Sequence, residues 1–392
     1  MSKIDELIEK FCPDGVGYMK LGDVVEILDS KRKPIAKDRR IPGPYPYYGA
    51  NGIQDYVADF IFDGKFLLLG EDGSVINKDG SPVLNWAEGK IWVNNHAHIL
   101  AEKKDKALLR FLFFALSEID VTKVVKGNIP KITQQNLRGF RIPIPPISIQ
   151  EEIVKILDTF TTLEAELEAE LEARTRQYEY YRNQLLAFEN EKVEWKTLGE
   201  IGTFTRGKRF VRTDIIEQGF PCIHYGEMYT HYNVFATESK SFVSPELASK
   251  LRVANYGDVV IVAAGETIED IGKATAWLGE SDVVTHDACF TFKSPLNPKY
   301  VAYFSRTLLF HDQIKRHISS GKISAINAKG LEKAKIPVPP LAEQERIVDI
   351  LDKFDALLND ISVGLPAEIK ARRQQYEYYR GKLLSFNEVQ KN

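Results

Sequence analysis

Four short motifs in this 392-residue chain hold residue types able to do covalent or metal chemistry, and each falls short of it. Asn297-Pro298-Lys299-Tyr300 approaches the Asn/Asp-Pro-Pro-Tyr loop that serves amino-group methylation. Its second proline is missing, and no glycine-rich cofactor loop follows a strand. Glu88-Gly89-Lys90 and Glu238-Ser239-Lys240 have the Glu-x-Lys spacing of metal-dependent nucleases, a triplet that any chain rich in Glu and Lys produces by chance. His96-Ala97-His98 would put two imidazoles on one strand face. No convincing third ligand accompanies them, so hydrogen-bonded strand histidines are expected rather than metal ligands. Walker-type loops, Gly-x-Ser-x-Gly and Cys-x-x-Cys are absent from the sequence. The sequence therefore assigns no catalytic residue, no metal and no cofactor.

A second group of residues suits nucleic acid. The run Lys31-Arg32-Lys33-Pro-Ile-Ala-Lys37-Asp-Arg39-Arg40 carries six cations beside the aromatic stretch Tyr45-Pro-Tyr-Tyr48 and the turn Gly49-Ala-Asn51-Gly52. Farther on, Arg206-Gly-Lys208-Arg209 and Arg212 precede His224-Tyr225. Two glycine segments, with Lys126, Asn128 and Lys131 in one and Lys322 in the other, would let the backbone approach a duplex closely. Cations anchor phosphates, whereas Asn, Arg and His side chains can read base edges. A lone basic run is usually a solvated face; two in equivalent places suggest a shared partner, double-stranded DNA.

Composition limits how such a partner is held. Hydrophobic residues make up 44% of the chain and charged residues 27%, ordinary for a globular protein, with a net charge of −3. That charge gives no overall basic footprint, so DNA binding would rest on local patches or on partners that share the phosphate contacts. Cys12, Cys222 and Cys289 are scattered and odd in number, as expected of reduced thiols in a cytoplasmic protein. The first residues do not read as a signal peptide, and the longest apolar runs are strand-sized. The length suits two domains with connectors.

The elements that must position these residues occur twice. Val16-Gly-Tyr-Met-Lys-Leu-Gly-Asp-Val24 returns as Val193-Glu-Trp-Lys-Thr-Leu-Gly-Glu-Ile201. Ile142-Pro-Ile-Pro-Pro-Ile-Ser-Ile-Gln150 returns as Ile336-Pro-Val-Pro-Pro-Leu-Ala-Glu-Gln344, and Gln177-Tyr-Glu-Tyr-Tyr-Arg182 as Gln375-Tyr-Glu-Tyr-Tyr-Arg380. The blocks between these anchors have diverged, as two different reading heads on one scaffold would. Ile8-Glu-Lys-Phe11 also matches Leu185-Leu-Ala-Phe188, so the chain resembles a cut ring, with termini expected to lie near each other and pseudo-twofold symmetry.

The expected organisation is a short helix at 1–11, a variable domain at 12–147, a connector helix at 148–190, a second variable domain at 191–341 and a second connector at 342–392. The variable domains read as mixed α/β. Phe66–Leu69 and Val259–Val262 look like buried strands, and 107–116 and 300–309 like equivalent helices. Apolar residues at 3/4 spacing, from Ile153 to Phe188 and from Ile347 to Phe386, predict long helices pairing as an antiparallel coiled coil. Each would be a rod of roughly 60 Å. Gly364 and Pro366 should interrupt the second one.

The paired proline segments ending in Gln150 and Gln344, and the tyrosine-rich tails running on to Leu185-Leu186-x-Phe188 and Leu383-Leu384-x-Phe386, resemble specificity (S) subunits of Type I restriction-modification systems. The likeness covers essentially the whole chain, and Arg176 against Gln374 is a small departure between its tails. The resemblance implies a non-catalytic protein with two target-recognition domains, each reading one half of a bipartite DNA site. It implies that the helix pair sets the spacing and docks two methyltransferase (modification) subunits, with Tyr178, Tyr181, Arg182, Tyr376, Tyr379 and Arg380 as docking candidates. Restriction/motor subunits would complete the complex. Two other readings weighed against this one are a repeat-built protein-interaction scaffold and a self-sufficient methyltransferase or nuclease.

Overall fold

The computed structural model describes residues 3–103, 105–125, 130–188, 193–321, 323–360 and 362–389. It divides into two compact units, Met1–Leu167 with Ile369–Asn392, and Glu168–Glu368. The divisions fall inside the connectors, so each unit holds one variable block and parts of both connectors.

In the first unit, six strands form one sheet: β1 (Val25–Ile27), β2 (Pro42–Gly49), β3 (Gly52–Val57), β4 (Phe62–Gly70), β5 (Leu84–Val93) and β6 (Ala97–Glu102), in the order β1-β6-β4-β5-β2-β3. β4 is central, and its apolar run works on both faces. Leu67 and Leu69 pack on one side with the helix Leu109–Leu116, while Phe66 and Leu68 pack on the other with Ile91 and Ile99. An alternating strand buried on two faces reads as a continuous hydrophobic run, which is why the pattern was legible.

The second unit carries most of its strands in two larger sheets, beside two two-stranded ones, Ala264–Gly265 with Ser324–Ala325 and the anchor pair Trp195–Thr197 with Lys335–Pro337. β7 (Thr203–Arg206), β9 (Phe235–Ala236), β12 (Val259–Val262), β13 (Ala274–Trp277) and β15 (Cys289–Lys293) form the order β7-β15-β12-β13-β9. β8 (Phe220–Ile223), β10 (Ser241–Val243), β11 (Arg252–Ala254) and β14 (Val283–Thr285) form β10-β8-β14-β11. Val259 and Ile261 face one core cluster, and Val260 and Val262 another, repeating the logic of β4. The helix expected at 300–309 is instead two, Pro298–Phe304 and Leu308–Lys315. Ser305 Oγ turns back to the Ala302 carbonyl, and Thr307 caps the second helix by accepting the Phe310 N–H at 3.2 Å. These hydroxyls compete with the helical ladder at the break.

The repeated anchors close each block on itself. Tyr18–Lys20 pairs antiparallel with Arg141–Pro143, and Trp195–Thr197 pairs likewise with Lys335–Pro337. The prolines then end the strand, and the connector helices begin at Ile147 and Leu341. Gln150 and Gln344, fully buried, each hold that junction. Gln150 accepts the Leu108 N–H at 2.9 Å and donates to the Pro145 carbonyl at 2.8 Å. Gln344 does the same with Asn297 and Pro339, at 2.9 and 2.8 Å.

The central connector is one helix of 41 residues, Ile147–Ala187. It ends at Phe188, whose φ of 49° gives the left-handed turn that usually terminates a helix at glycine. The C-terminal connector is two helices, Leu341–Asn359 and Leu365–Leu384. At their junction a Cβ on Gly364 would lie 2.5 Å from the Leu357 carbonyl oxygen and 2.6 Å from that of Ala356, so only glycine fits. Within the first unit Phe160 meets Tyr376 and Tyr379, and Glu164 pairs with Arg373; within the second, Tyr178 and Tyr181 meet Phe354. Residue numbers rise along one partner as they fall along the other, so the pairing is antiparallel. The two ends of the chain also meet in the first unit, where the Val16 N–H donates to the Asn387 carbonyl at 2.8 Å. Among the described residues no helix is long and apolar enough to cross a membrane.

Candidate nucleic-acid interface

In the second unit the basic run leaves the end of β7 and is stitched to the turn between β14 and β15. The Gly207 N–H donates to the Cys289 carbonyl at 3.0 Å, the Lys208 N–H to Thr285 at 3.1 Å and Arg206 Nε to Asp287 at 2.9 Å. A Cβ on Gly207 would fall 2.2 Å from the His286 carbonyl oxygen, which fixes that glycine. The stitching brings His286 beside two residues expected from the sequence. His224 and His286 have ring centroids 4.9 Å apart, His224 and Tyr225 4.6 Å, and Tyr225 and His286 5.0 Å, with the buried ring of Phe210 edge-on to both histidines. Arg209 and Arg212 are exposed beside these rings and have no carboxylate partner among the described residues. Lys208 turns its ammonium to the Lys250 carbonyl at 2.7 Å.

Burial holds both imidazoles below the ordinary histidine pKa. The Glu227 carboxylate opposes this at His224 while Arg212 assists it; at His286, Asp287 opposes it while His224 and Arg209 assist. Both rings are therefore neutral near pH 7. Glu227 is itself buried, taking the His224 N–H at 3.0 Å and bonding Ser241.

The first unit builds the corresponding corner from other residues. Here the run at 31–40 follows β1, and the Lys33 N–H donates to the Val93 carbonyl at the end of β5. Arg32 reaches into the turn before β6, donating to the Asn95 and Ala97 carbonyls at 3.3 and 2.8 Å, and it also pairs with Glu71. Arg32 is thus held inside the unit. Arg40 packs over Tyr47 at 4.2 Å and pairs with Asp55 at 3.2 Å, and Lys131 pairs with Glu71 at 3.2 Å. Tyr48 is buried under the hairpin, while Asn51 is exposed at the tip of the β2–β3 turn, where Gly52 takes a φ of 104°. Lys31, Lys33, Lys37 and Arg39 remain exposed, with no ion-pair partner among the described residues. Lys126, Asn128 and Lys322 lie outside the described residues.

Asp29, Glu71 and His98 place one potential ligand atom each within 4.8 Å of one another. Hydrogen-bond accounting leaves no room there for a cation. Asp29 takes the Ile99 N–H at 3.0 Å and the Gln134 amide at 2.9 Å, and His98 Nδ1 lies 2.6 Å from its second oxygen. Burial alone would raise the Asp29 pKa; the hydrogen bond and charge of His98, with Gln134 and Ile99, outweigh it and hold Asp29 ionised. His98 Nε2 meets the Ile132 carbonyl at 2.8 Å. Both ring nitrogens thus already face acceptors within the protein. Arg32, paired with Asp29 and Glu71, and Lys131, paired with Glu71, join the same network. His96 pairs separately with Asp72.

Other chemical motifs also have structural roles. Asn297 caps its helix by accepting the Lys299 and Tyr300 N–H groups at 3.0 and 3.2 Å, with Pro298 at the first turn. Glu88 pairs with Lys65 at 3.1 Å.

On the connectors, Tyr178 is only 6% exposed, and Arg182 lies over its ring at 5.2 Å. Tyr376 and Arg380 repeat this at 5.4 Å, with Arg380 paired to Glu118. Tyr181 and Tyr379 stack against Phe354 and Phe160 but keep one side open. On these helices the most exposed rings are Tyr180 at 58% and Tyr378 at 65%, at the same place in both tails and outside the docking candidates expected from the sequence.

A duplicated α/β chain with a basic corner in each unit and paired connector helices defines a class, and comparison with known proteins identifies it. The model of the Type I restriction modification DNA specificity domain matches residues 13–173 and again 190–371. The chain belongs to that family. It is 36% identical to a putative type I restriction enzyme specificity subunit from Haemophilus influenzae, over 95% of this chain and 96% of that one. A type I restriction enzyme specificity subunit from Escherichia coli is also 36% identical, over 84% and 87%. The fold resembles the S subunit of a type I restriction-modification system from M. genitalium, with a TM-score of 0.56, 16% identity and coverage of 94% and 96%. A chain from a structural study of type I system assembly gives 0.60, at 15% identity, covering 94% and 97%.

Proposed function

We propose that this chain is the DNA-specificity subunit of a Type I restriction-modification complex, itself non-catalytic, with target-recognition domains at about 12–147 and 191–341. Each domain reads one half of a bipartite site. The helices at about 148–190 and 342–392 set the spacing and dock two modification subunits, to which restriction/motor subunits add in the full complex, in the cytoplasm. The observation that carries this reading is the recurrence of one construction in both units, a basic run fastened to the turn before a sheet strand, in a chain the DNA-specificity family matches twice.

Within it, Lys31, Lys33, Lys37, Arg39, Arg209 and Arg212 hold phosphates, while Asn51, Asn95 and the His224 cluster meet base edges. Tyr180, Tyr181, Tyr378 and Tyr379 face the modification subunits. The modest net charge fits a subunit whose partners complete the grip on the duplex. A gel-shift titration tests this: the chain alone binds DNA weakly and with steep salt dependence, and adding the modification subunit tightens binding. Equal nanomolar specific binding with and without that subunit contradicts it.

A further inference from the structure

Within the ring cluster of the second unit, His224 has a fixed hydrogen-bond polarity. The Gly226 N–H donates to His224 Nδ1 at 3.3 Å, and the Ala288 N–H donates to His286 Nδ1 at 3.1 Å. A ring nitrogen that accepts carries no proton, so the neutral His224 imidazole holds its hydrogen on Nε2; at His286 the Asp287 carboxylate lies 3.1 Å from the same Nδ1, and the two contacts call for opposite tautomers. The charged groups around the pair are Glu227 and Arg212 at His224, and Asp287 and Arg209 at His286. Besides Asp287 at its Nδ1, the Phe210 main chain also bonds the His286 ring, so His286 is already engaged within the protein. His224 differs: among the described residues no acceptor takes its Nε2–H. Its ring is half-buried, held between Tyr225 and His286 and backed by Phe210.

A neutral donor pinned in direction suits a base edge better than a phosphate, for which Arg209 and Arg212 stand ready on either side. In the major groove every purine presents N7 as an acceptor. Cytosine presents an amino donor that would repel a second donor, and thymine's O4 stands beside a methyl group.

We propose that His224 is a specificity-determining residue of the second domain, donating from Nε2 to the N7 of one purine in its half-site. The inference rests on the chain being a DNA-specificity subunit.

The test uses the chain assembled with its modification subunits. The wild-type recognition site is first mapped from methylated DNA, and duplexes carrying a 7-deazapurine at each purine of the half-sites, on either strand, are then methylated in vitro. One position in the second half-site is expected to slow methylation about tenfold, the scale of one lost directional hydrogen bond. His224→Phe, which keeps the ring and removes the donor, should lose discrimination at that same position and become indifferent to 7-deazapurine there. Rates unchanged by 7-deazapurine throughout the second half-site overturn the proposal, and so does a His224→Phe complex that keeps the complete motif. The 7-deazapurine scan on wild type decides the matter if the variant does not fold. A wild-type complex that marks no bipartite site defeats the specificity reading itself, a separate outcome.

Discussion

The side-chain oxygen of Gln344 accepts the main-chain N–H of Asn297 at 2.9 Å, and Gln150 does the same for Leu108 at 2.9 Å in the other unit. Both glutamines are buried where a connector helix leaves its domain. Replacing Gln344 with Leu strands the Asn297 N–H and the Pro339 carbonyl without partners. The expected loss is about 1–3 kcal/mol of stability by chemical denaturation. A loss under about 0.5 kcal/mol would show that the junction does not depend on this clamp.

Asp29 supports a second prediction. Its carboxylate is held below the ordinary range, so the folded protein resists protonating it more than the unfolded chain does. The stability it contributes is present above the unfolded value near pH 4 and is lost as pH falls through the depressed one. Asp29→Asn leaves His98 and Arg32 facing fewer negative charges and is expected to cost about 2–4 kcal/mol at neutral pH. That difference should shrink as the pH falls below the unfolded value near pH 4. A penalty constant from pH 7 to pH 3 would contradict the ionised network.

The exposed tyrosines predict a separation of stability from assembly. Tyr180→Ser and Tyr378→Ser remove rings that are 58% and 65% exposed, so thermal stability should change little. Co-purification of the modification subunit should fall with each and fail with both. Phe354→Ala, by contrast, should destabilise by about 2–3 kcal/mol, because it removes the ring against which Tyr178 and Tyr181 pack. Unimpaired capture by the double tyrosine variant would move the docking surface elsewhere.

The connectors were legible because an apolar seam repeats every three or four residues, and Gly364 marked the break correctly. β4 and β12 were legible because burial on two faces leaves an unbroken apolar run. His286 and Asn95 were not, since a single polar residue in a turn has no periodicity. Both become visible only when the Lys208 and Lys33 N–H groups are seen bonded to Thr285 and Val93. Arg32 misled for the opposite reason: a cation within a basic run reads as solvent-facing, and nothing in the sequence shows that Glu71 and Asp29 fold back upon it. In the tyrosine tails helical phase decides which ring of Tyr178, Tyr180 and Tyr181 turns inward, and the sequence pattern alone did not mark Tyr180 as the most exposed of the three.

Mapping methylated bases in a methylation-free host that carries this chain with its modification subunit tests the central claim most directly. One bipartite motif is expected, its halves separated by a constant number of unread base pairs. Four residues inserted near Ala169 add about 6 Å of helix and should widen that gap by about one or two base pairs, at about 3.4 Å each, without altering either half. A contiguous motif, or a gap that ignores the insertion, would contradict two heads held at a set spacing.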